Sequence, residues 1–225
     1  MEKSTKNFLE EKIEFYNLMS MVFMKEPTDE FCDVLKQVLD EDYFPMIEEN
    51  QEMDQLHNQL RDHLLHETAV DFAEKLKKEY YDLFFDPHGL KASPWQSSYT
   101  SHDHLLFQLP DYETKAFYRK YGYQVTNPHL PGDHISIELD FLKRLSEKEL
   151  VCLNTDKLQA NTTVFEDNIE FIDKYLLDWI DLFISALAKS KSIYYHLFAS
   201  MIKIAGELDK TILTQYIKKE KEEED

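Results

Sequence analysis

Asp133 and His134 stand side by side after a Pro131-Gly132 turn, and Glu138 follows His134 by four residues. Residues four apart on a helix are neighbours, so Ile135-Ser136-Ile137-Glu138-Leu139-Asp140-Phe141-Leu142 sets Glu138 on the same face as His134. No other stretch places polar, potentially reactive groups at so defined a spot. The cluster offers anionic and hydrogen-bonding groups at a helix start, suiting either an enzyme or a binding protein. It also has a purely structural reading. Asp133 stands where an N-cap belongs, able to accept the backbone N–H of Ile135 or Ser136. His134 would then occupy the first turn, where the helix dipole disfavours its charged form.

A second Asp-His run, His102-Asp103-His104, could join His66 and Asp167 in the ligand order of a metal-dependent phosphohydrolase of the HD type. That scaffold needs its His-Asp pair deep in a helix, and His102-Asp103 follows a loop. Nine histidines in 225 residues also produce such a series by chance. A ferritin-like dimetal site needs Glu-x-x-His on paired helices, for which Asp54-x-x-His57 is a poor substitute. There is no Gly-rich phosphate loop, no Gly-x-Ser-x-Gly and no cysteine paired locally with a catalytic histidine. The residues support a binding module better than a catalyst, with no metal.

Composition narrows the partners. With 44 Asp and Glu against 25 Lys and Arg, the formal net charge is −19. Such a surface repels nucleic acid and anionic membranes and attracts cations. Cys32 and Cys152 lie far apart without zinc spacing or a disulfide framework, as in a reducing cytosol. The polar start Met1-Glu2-Lys3-Ser4-Thr5-Lys6-Asn7 shows no signal peptide, and no apolar run reaches the roughly 18 residues a spanning helix needs. The expectation is a cytoplasmic protein without stable membrane insertion.

The elements that must hold the cluster are helices. Only 4 Gly and 7 Pro interrupt a chain that is 43% apolar, enough for a real core. Leu9, Ile13, Tyr16, Ser20 and Phe23 form one stripe, stopped by Pro27; Phe31, Val34, Leu35, Val38 and Leu39 form a second. A more polar helix runs through Met53, Leu56, Leu60 and Leu64, and a fourth carries Phe72, Leu76, Tyr80, Leu83 and Phe84. Residues 86–101 break the pattern and hold Trp95 and Tyr99, aromatics that need burial or a partner. Short helices are expected around Leu105–Leu109 and Lys115–Tyr121, separated by Pro110. The opening motif is placed on a helix over 133–152, and one long helix over Phe165–Leu187. Further helices begin at Ile193 and span Leu208–Ile217. The result is an all-α fold, with 1–217 as one helical domain, a connection at 155–163, and a charged tail, 218–225, that frays into solvent.

Three stretches together resemble the TorD/DmsD family of cytoplasmic redox-enzyme maturation chaperones. Leu83-Phe84-x-x-Pro87 followed by Pro94-Trp95-Gln96-Ser97-Ser98-Tyr99 is similar to that family's Leu-Phe…Pro…Pro-aromatic-Glu-Ser-x-Tyr loop. Tyr121-Gly122, then Pro131-Gly132-Asp133-His134-x-x-x-Glu138-Leu139-x-Phe141, resembles its Pro-x-Asp-His-x-x-x-Glu-Leu-x-Phe signature. Phe171 to Trp179, Phe183 and Tyr194-Tyr195 follow its C-terminal helix pair. The likeness covers about residues 80–200. It departs in three places: Gln96 replaces the usual Glu, Asn127-Pro128-His129-Leu130 lacks the usual acidic residue, and Tyr175 takes a place commonly held by His.

The resemblance implies a compact multi-helix bundle of the TorD-like chaperone type that is not an enzyme. It would bind the twin-arginine signal peptide and catalytic subunit of a molybdoenzyme, assisting molybdopterin insertion before export. Carboxylates such as Asp133 and Glu138 can pair with guanidinium, while Trp95 and Tyr99 can stack on it. The expected cleft has Asp133, His134 and Glu138 as its polar end. Trp95, Ser97 and Tyr99 form the opposite wall, and Pro131 and Gly132 shape the approach. Guanine nucleotide binding occurs in some members, but no phosphate-cradling loop supports it here. A monomer or a domain-swapped dimer fits the reading.

Overall fold

Apolar residues at helical spacing, with few glycines, leave the chain little but helices to form. The computed structural model describes residues 2–41, 44–46, 50–85, 89–125, 130–153 and 162–224. In chain order these give α1 (Glu2–Met24), α2 (Asp29–Asp40), α3 (Gln51–Leu64), α4 (Ala69–Phe84) and the short α5 (Ser97–Thr100). Then come α6 (Leu109–Lys120), α7 (Ile135–Leu153), α8 (Thr162–Ile172), a π turn (Asp173–Leu177), α9 (Ile180–Lys189) and α10 (Tyr194–Glu224). The fold is all-α, as expected. Among the described residues the only strand-like feature is an isolated antiparallel bridge between Trp95 and His134. No described helix is long and apolar enough to cross a membrane.

Local sequence sets the helix starts. The Thr28 hydroxyl accepts the Phe31 N–H, the Asn50 side chain accepts those of Glu52 and Met53, and Thr68 and Asp71 cap each other reciprocally. α1 and α7 make the most extensive helix pair, burying Phe8, Phe15, Tyr16, Met19 and Phe23 from α1 and Leu139, Phe141, Leu142 and Leu145 from α7. Phe141 sits in an aromatic cluster with Tyr118, Tyr123 and Phe171 at centroid distances of 4.7, 5.6 and 4.8 Å. A second cluster joins Phe23, Phe84, Phe183 and Tyr195.

Five expectations about elements are corrected. The helix expected around Leu105–Leu109 does not form, because His104 and Phe107 take left-handed backbone (φ 52° and 58°). Pro110 does not separate two helices but lies in the first turn of α6, where its missing N–H costs nothing. The helix expected over Phe165–Leu187 is interrupted by the π turn, and Trp179 leaves helical geometry at φ −130°. The two C-terminal helices are one. α10 passes straight through Gly206, where a Cβ would come 3.0 Å from Leu176, so glycine permits its close packing on the π turn. The same helix carries Lys218–Glu224, the stretch expected to fray, with Lys221 Nζ 3.1 Å from Glu166. Residues 154–161, most of the expected connection, lie outside the described residues, as do Asn127-Pro128-His129 and Asp86-Pro87.

Candidate functional site

The Pro131-Gly132-Asp133-His134 turn is held from three sides. The Gly132 N–H donates to Asp111 Oδ1 at 2.5 Å, and the Tyr118 hydroxyl donates to the Gly132 carbonyl at 2.8 Å. A Cβ on residue 132 would lie 2.8 Å from Lys115 Cγ and 3.2 Å from Thr114 Oγ1, so glycine is what lets the turn approach α6. From α1, the Ser20 hydroxyl donates to the Ser136 carbonyl at 2.8 Å.

The turn is stapled to the Trp95 loop. The Gln96 N–H donates to the Asp133 carbonyl (3.0 Å), and the Ile135 N–H donates to the Pro94 carbonyl (2.9 Å). The two walls expected to face each other across a cleft are thus hydrogen-bonded together. Asp133 does not cap its own helix. Its carboxylate accepts the Ser97 N–H at 2.8 Å, anchoring the start of α5. His134 takes over the capping of α7: its Nδ1 accepts the Ser136 N–H at 3.2 Å and lies 2.8 Å from the Ser136 hydroxyl. That correction has a simple cause. A cap read from sequence is local, and Asp133 found a backbone donor 36 residues away.

Electrostatics follow from burial. Asp133 and Glu138 are fully inaccessible to solvent. Burial raises the Asp133 pKa despite the opposing Ser97 hydrogen bond. Glu138 is pushed well above the usual carboxylate range by burial and by the nearby charge of Asp133, against one Trp179 Nε1 donor at 3.3 Å. Burial also lowers His134 to about 4, so its ring is neutral at pH 7. His134 therefore does not shuttle protons near neutrality, and full burial keeps Glu138 off the surface.

All eight residues singled out in the sequence come together. Trp95 meets His134 edge to face (5.0 Å, 76°), and Tyr99 stacks on Trp179 (5.6 Å, 24°), which binds Glu138. Ser97, Pro131, Gly132, Asp133 and Glu138 are buried; Trp95, Tyr99 and His134 are partly exposed. Buried side-chain atoms without a hydrogen-bond partner concentrate here: Trp95 Nε1, Gln96 Oε1, Ser101 Oγ and Glu138 Oε1. Such atoms are rare in a finished interior and cost about 1–3 kcal/mol each.

The phosphohydrolase series does not assemble. His102 and Asp103 pair with each other on the surface, whereas Asp167 bonds to the Tyr121 hydroxyl and Lys120. Among the described residues no three His, Cys, Asp or Glu side chains are grouped to hold a metal. Sequence reasoning missed Asp111, which holds the Gly132 N–H, and gave Trp179 no place in the site that it frames. It also missed a buried network in which Lys12 Nζ lies 2.6 Å from Glu149 and 2.7 Å from Asp209.

Comparison with known proteins agrees with this architecture. The family model described as nitrate reductase delta subunit matches residues 48–185. The chain is 31% identical over 194 residues to "Chaperone protein TorD" of Vibrio atlanticus (strain LGP32), covering 80% of this chain and 84% of that one. It is 28% identical over 210 residues to the protein of the same name from Vibrio vulnificus (strain YJ016), covering 91% and 95%. Among solved structures, a putative redox enzyme maturation protein from Archaeoglobus fulgidus superposes with a TM-score of 0.53 at 20% identity, over 85% of this chain and 91% of that one. That likeness speaks for the fold alone. With the family model spanning more than half its length and a relative above 30% identity, the chain belongs to the TorD-like, nitrate reductase delta subunit family of redox-enzyme maturation chaperones.

Proposed function

We propose that this chain is a non-catalytic, cytoplasmic chaperone for a molybdopterin-dependent oxidoreductase. It binds the twin-arginine signal peptide of the catalytic subunit and holds that subunit while the cofactor is inserted, before export. The observation that carries this reading is the near full-length match to TorD chaperones, over 80% and 91% of the chain. Physical chemistry supports it. A net charge of −19 speeds encounter with a peptide bearing two guanidinium groups, more so at low salt. The peptide approaches where Trp95, Tyr99 and His134 reach the surface. Ser97, Pro131, Gly132, Asp133 and Glu138 act beneath them as the frame that fixes the loop.

Calorimetry on the intact chain tests the reading, with a synthetic peptide of two arginines followed by an apolar segment. One-to-one binding that weakens with salt and with Lys-Lys in place of Arg-Arg is expected. No measurable heat at low salt would sink it. Asp133→Ala with His134→Ala removes the anchors of α5 and α7 at once. That variant should lose the peptide while keeping its helical circular dichroism; undiminished affinity would remove these residues from the site.

A further inference from the structure

Gln96 is the least explained residue of the family motif, and it faces two ways. Its backbone is bonded to Asp133, while its side chain reaches the opposite direction, where Nε2 donates to the Lys174 carbonyl inside the π turn at 2.9 Å. Its Oε1 has no partner, although Gln96 is only 4% exposed. That side chain lines a cavity of about 420 Å³ between α5, α6 and the π turn. Ser101, whose hydroxyl is likewise buried without a partner, lines it too, as do Glu113 and Asp178. Lys174 is the one lysine or arginine in the lining, and it lies 3.2 Å from Glu113. The cavity therefore presents spare acceptors and excess negative charge.

Beside it the surface is apolar. Leu105, Phe107, Leu109 and Tyr112 are 58%, 46%, 66% and 65% exposed, and Leu109 lines the cavity rim. Four exposed large apolar side chains within eight residues need an explanation, and interaction is the usual one. Two left-handed non-glycine residues, His104 and Phe107, hold this strip out of the helix that its sequence would otherwise join.

We infer that this cavity is the seat of a cationic side chain, a guanidinium, from an extended peptide whose apolar residues lie across Leu105, Phe107, Leu109 and Tyr112. The inference rests on the peptide-binding reading above and moves the cation from Asp133 and Glu138 to Gln96, Glu113 and Asp178. A planar guanidinium donates several N–H groups in a fixed fork, matching an amide oxygen flanked by carboxylates better than an ammonium does. Burial of Asp133 and Glu138 leaves those two to build the wall.

The test compares three variants with the intact chain by calorimetry, using an Arg-Arg peptide with an apolar tail and its Lys-Lys counterpart. Glu113→Gln with Asp178→Asn should weaken the Arg-Arg peptide about tenfold or more and erase its advantage over Lys-Lys. Leu109→Ser with Tyr112→Ser, both on the surface, should weaken the two peptides equally. Gln96→Met keeps the volume and removes the acceptor, so it should weaken Arg-Arg more than Lys-Lys. Full affinity and full discrimination in the carboxylate and Gln96 variants overturn the assignment, while peptide binding by the intact chain keeps the functional reading. If the intact chain binds neither peptide, that reading falls and Nα-acetyl-arginine methylamide decides the cavity. A saturable shift of the Gln96 side-chain amide in ¹⁵N spectra, absent with the lysine analogue, supports the cation seat, and no shift overturns it.

Discussion

Two buried acidic pairs, both resting on α7, are built on opposite plans. Glu149 and Asp209 share Lys12 between them, the Tyr16 hydroxyl donates to Asp209 at 3.0 Å, and Asn168 donates to Glu149 at 2.7 Å. Asp133 and Glu138 have no cation among the described residues. They have one backbone N–H, one indole N–H and, around them, polar atoms with nothing to bind. The first pair joins α1, α7, α8 and α10 and is occupied by the protein itself. The second joins a loop to a turn and is left underpaired. A buried group that keeps its own counter-charge fixes a fold, and a region short of partners is built to receive some.

The sharpest way to break this contrast is Lys12→Met. The substitution roughly keeps the volume and leaves two buried carboxyl groups without their cation. Burial works against the Lys12 charge, yet Asp209 and Glu149 together hold its pKa above the ordinary lysine value. Breaking such a pair from one side costs about 3–5 kcal/mol. Urea unfolding followed by circular dichroism measures it. A loss below about 1 kcal/mol, the range of surface ion pairs, would mean the network does not hold the four helices.

A smaller effect separates the two regions by pH. Burial raises Glu149 to about 7, with Lys12 pulling down and Asp209 pushing up. The folded state thus keeps a proton that the unfolded chain releases near the ordinary glutamate value. Its contribution is fully present below about pH 4.5 and is lost as pH rises through about 7. His134 runs the other way. Its folded pKa of about 4 lies below the ordinary 6.5, so its contribution is present above 6.5 and is lost as pH falls towards 4. Between these limits the two slopes oppose. Glu149→Gln should leave a stability that climbs with pH from about 4 to 6.5, and His134→Asn one that declines towards 7. Identical pH profiles for the two variants would erase the distinction.

The sequence made the helices legible because periodicity is a local signal that core packing reinforces. α7 was readable almost to the residue, from a turn at Pro131-Gly132 and a run of apolar positions. What stayed hidden depends on partners distant in sequence. Lys12 reads as one more surface lysine until Asp209, 197 residues on, is brought to it. The π turn leaves no periodic trace, and the partner of its Lys174 carbonyl, the Gln96 amide, lies 78 residues away in sequence. The stretch from Ile193 to Ile217 reads as two helices until α10 is seen running through Gly206, packed on Leu176. The site was legible as a set of residues and misread as a geometry. Type, spacing and the family resemblance together marked the eight positions, yet nothing local says that Asp133 points at Ser97 or that Glu138 is sealed under Trp179.

The smallest expected effect tests that misreading most directly. Glu138 is buried, its pKa is pushed well above the usual carboxylate range by burial and by Asp133, and one of its oxygens bonds the Trp179 indole. Glu138→Gln keeps the shape and an oxygen acceptor for Trp179. Exchanging the carboxyl for an amide of the same size that keeps the Trp179 hydrogen bond should change stability by less than about 1 kcal/mol. Peptide affinity should stay within about twofold, because a charged hydrogen bond to arginine would have been worth tenfold or more. A large loss of affinity at full stability would return Glu138 to the surface as an anion that meets the peptide. The two carboxyl pairs would then differ in partner, not in plan.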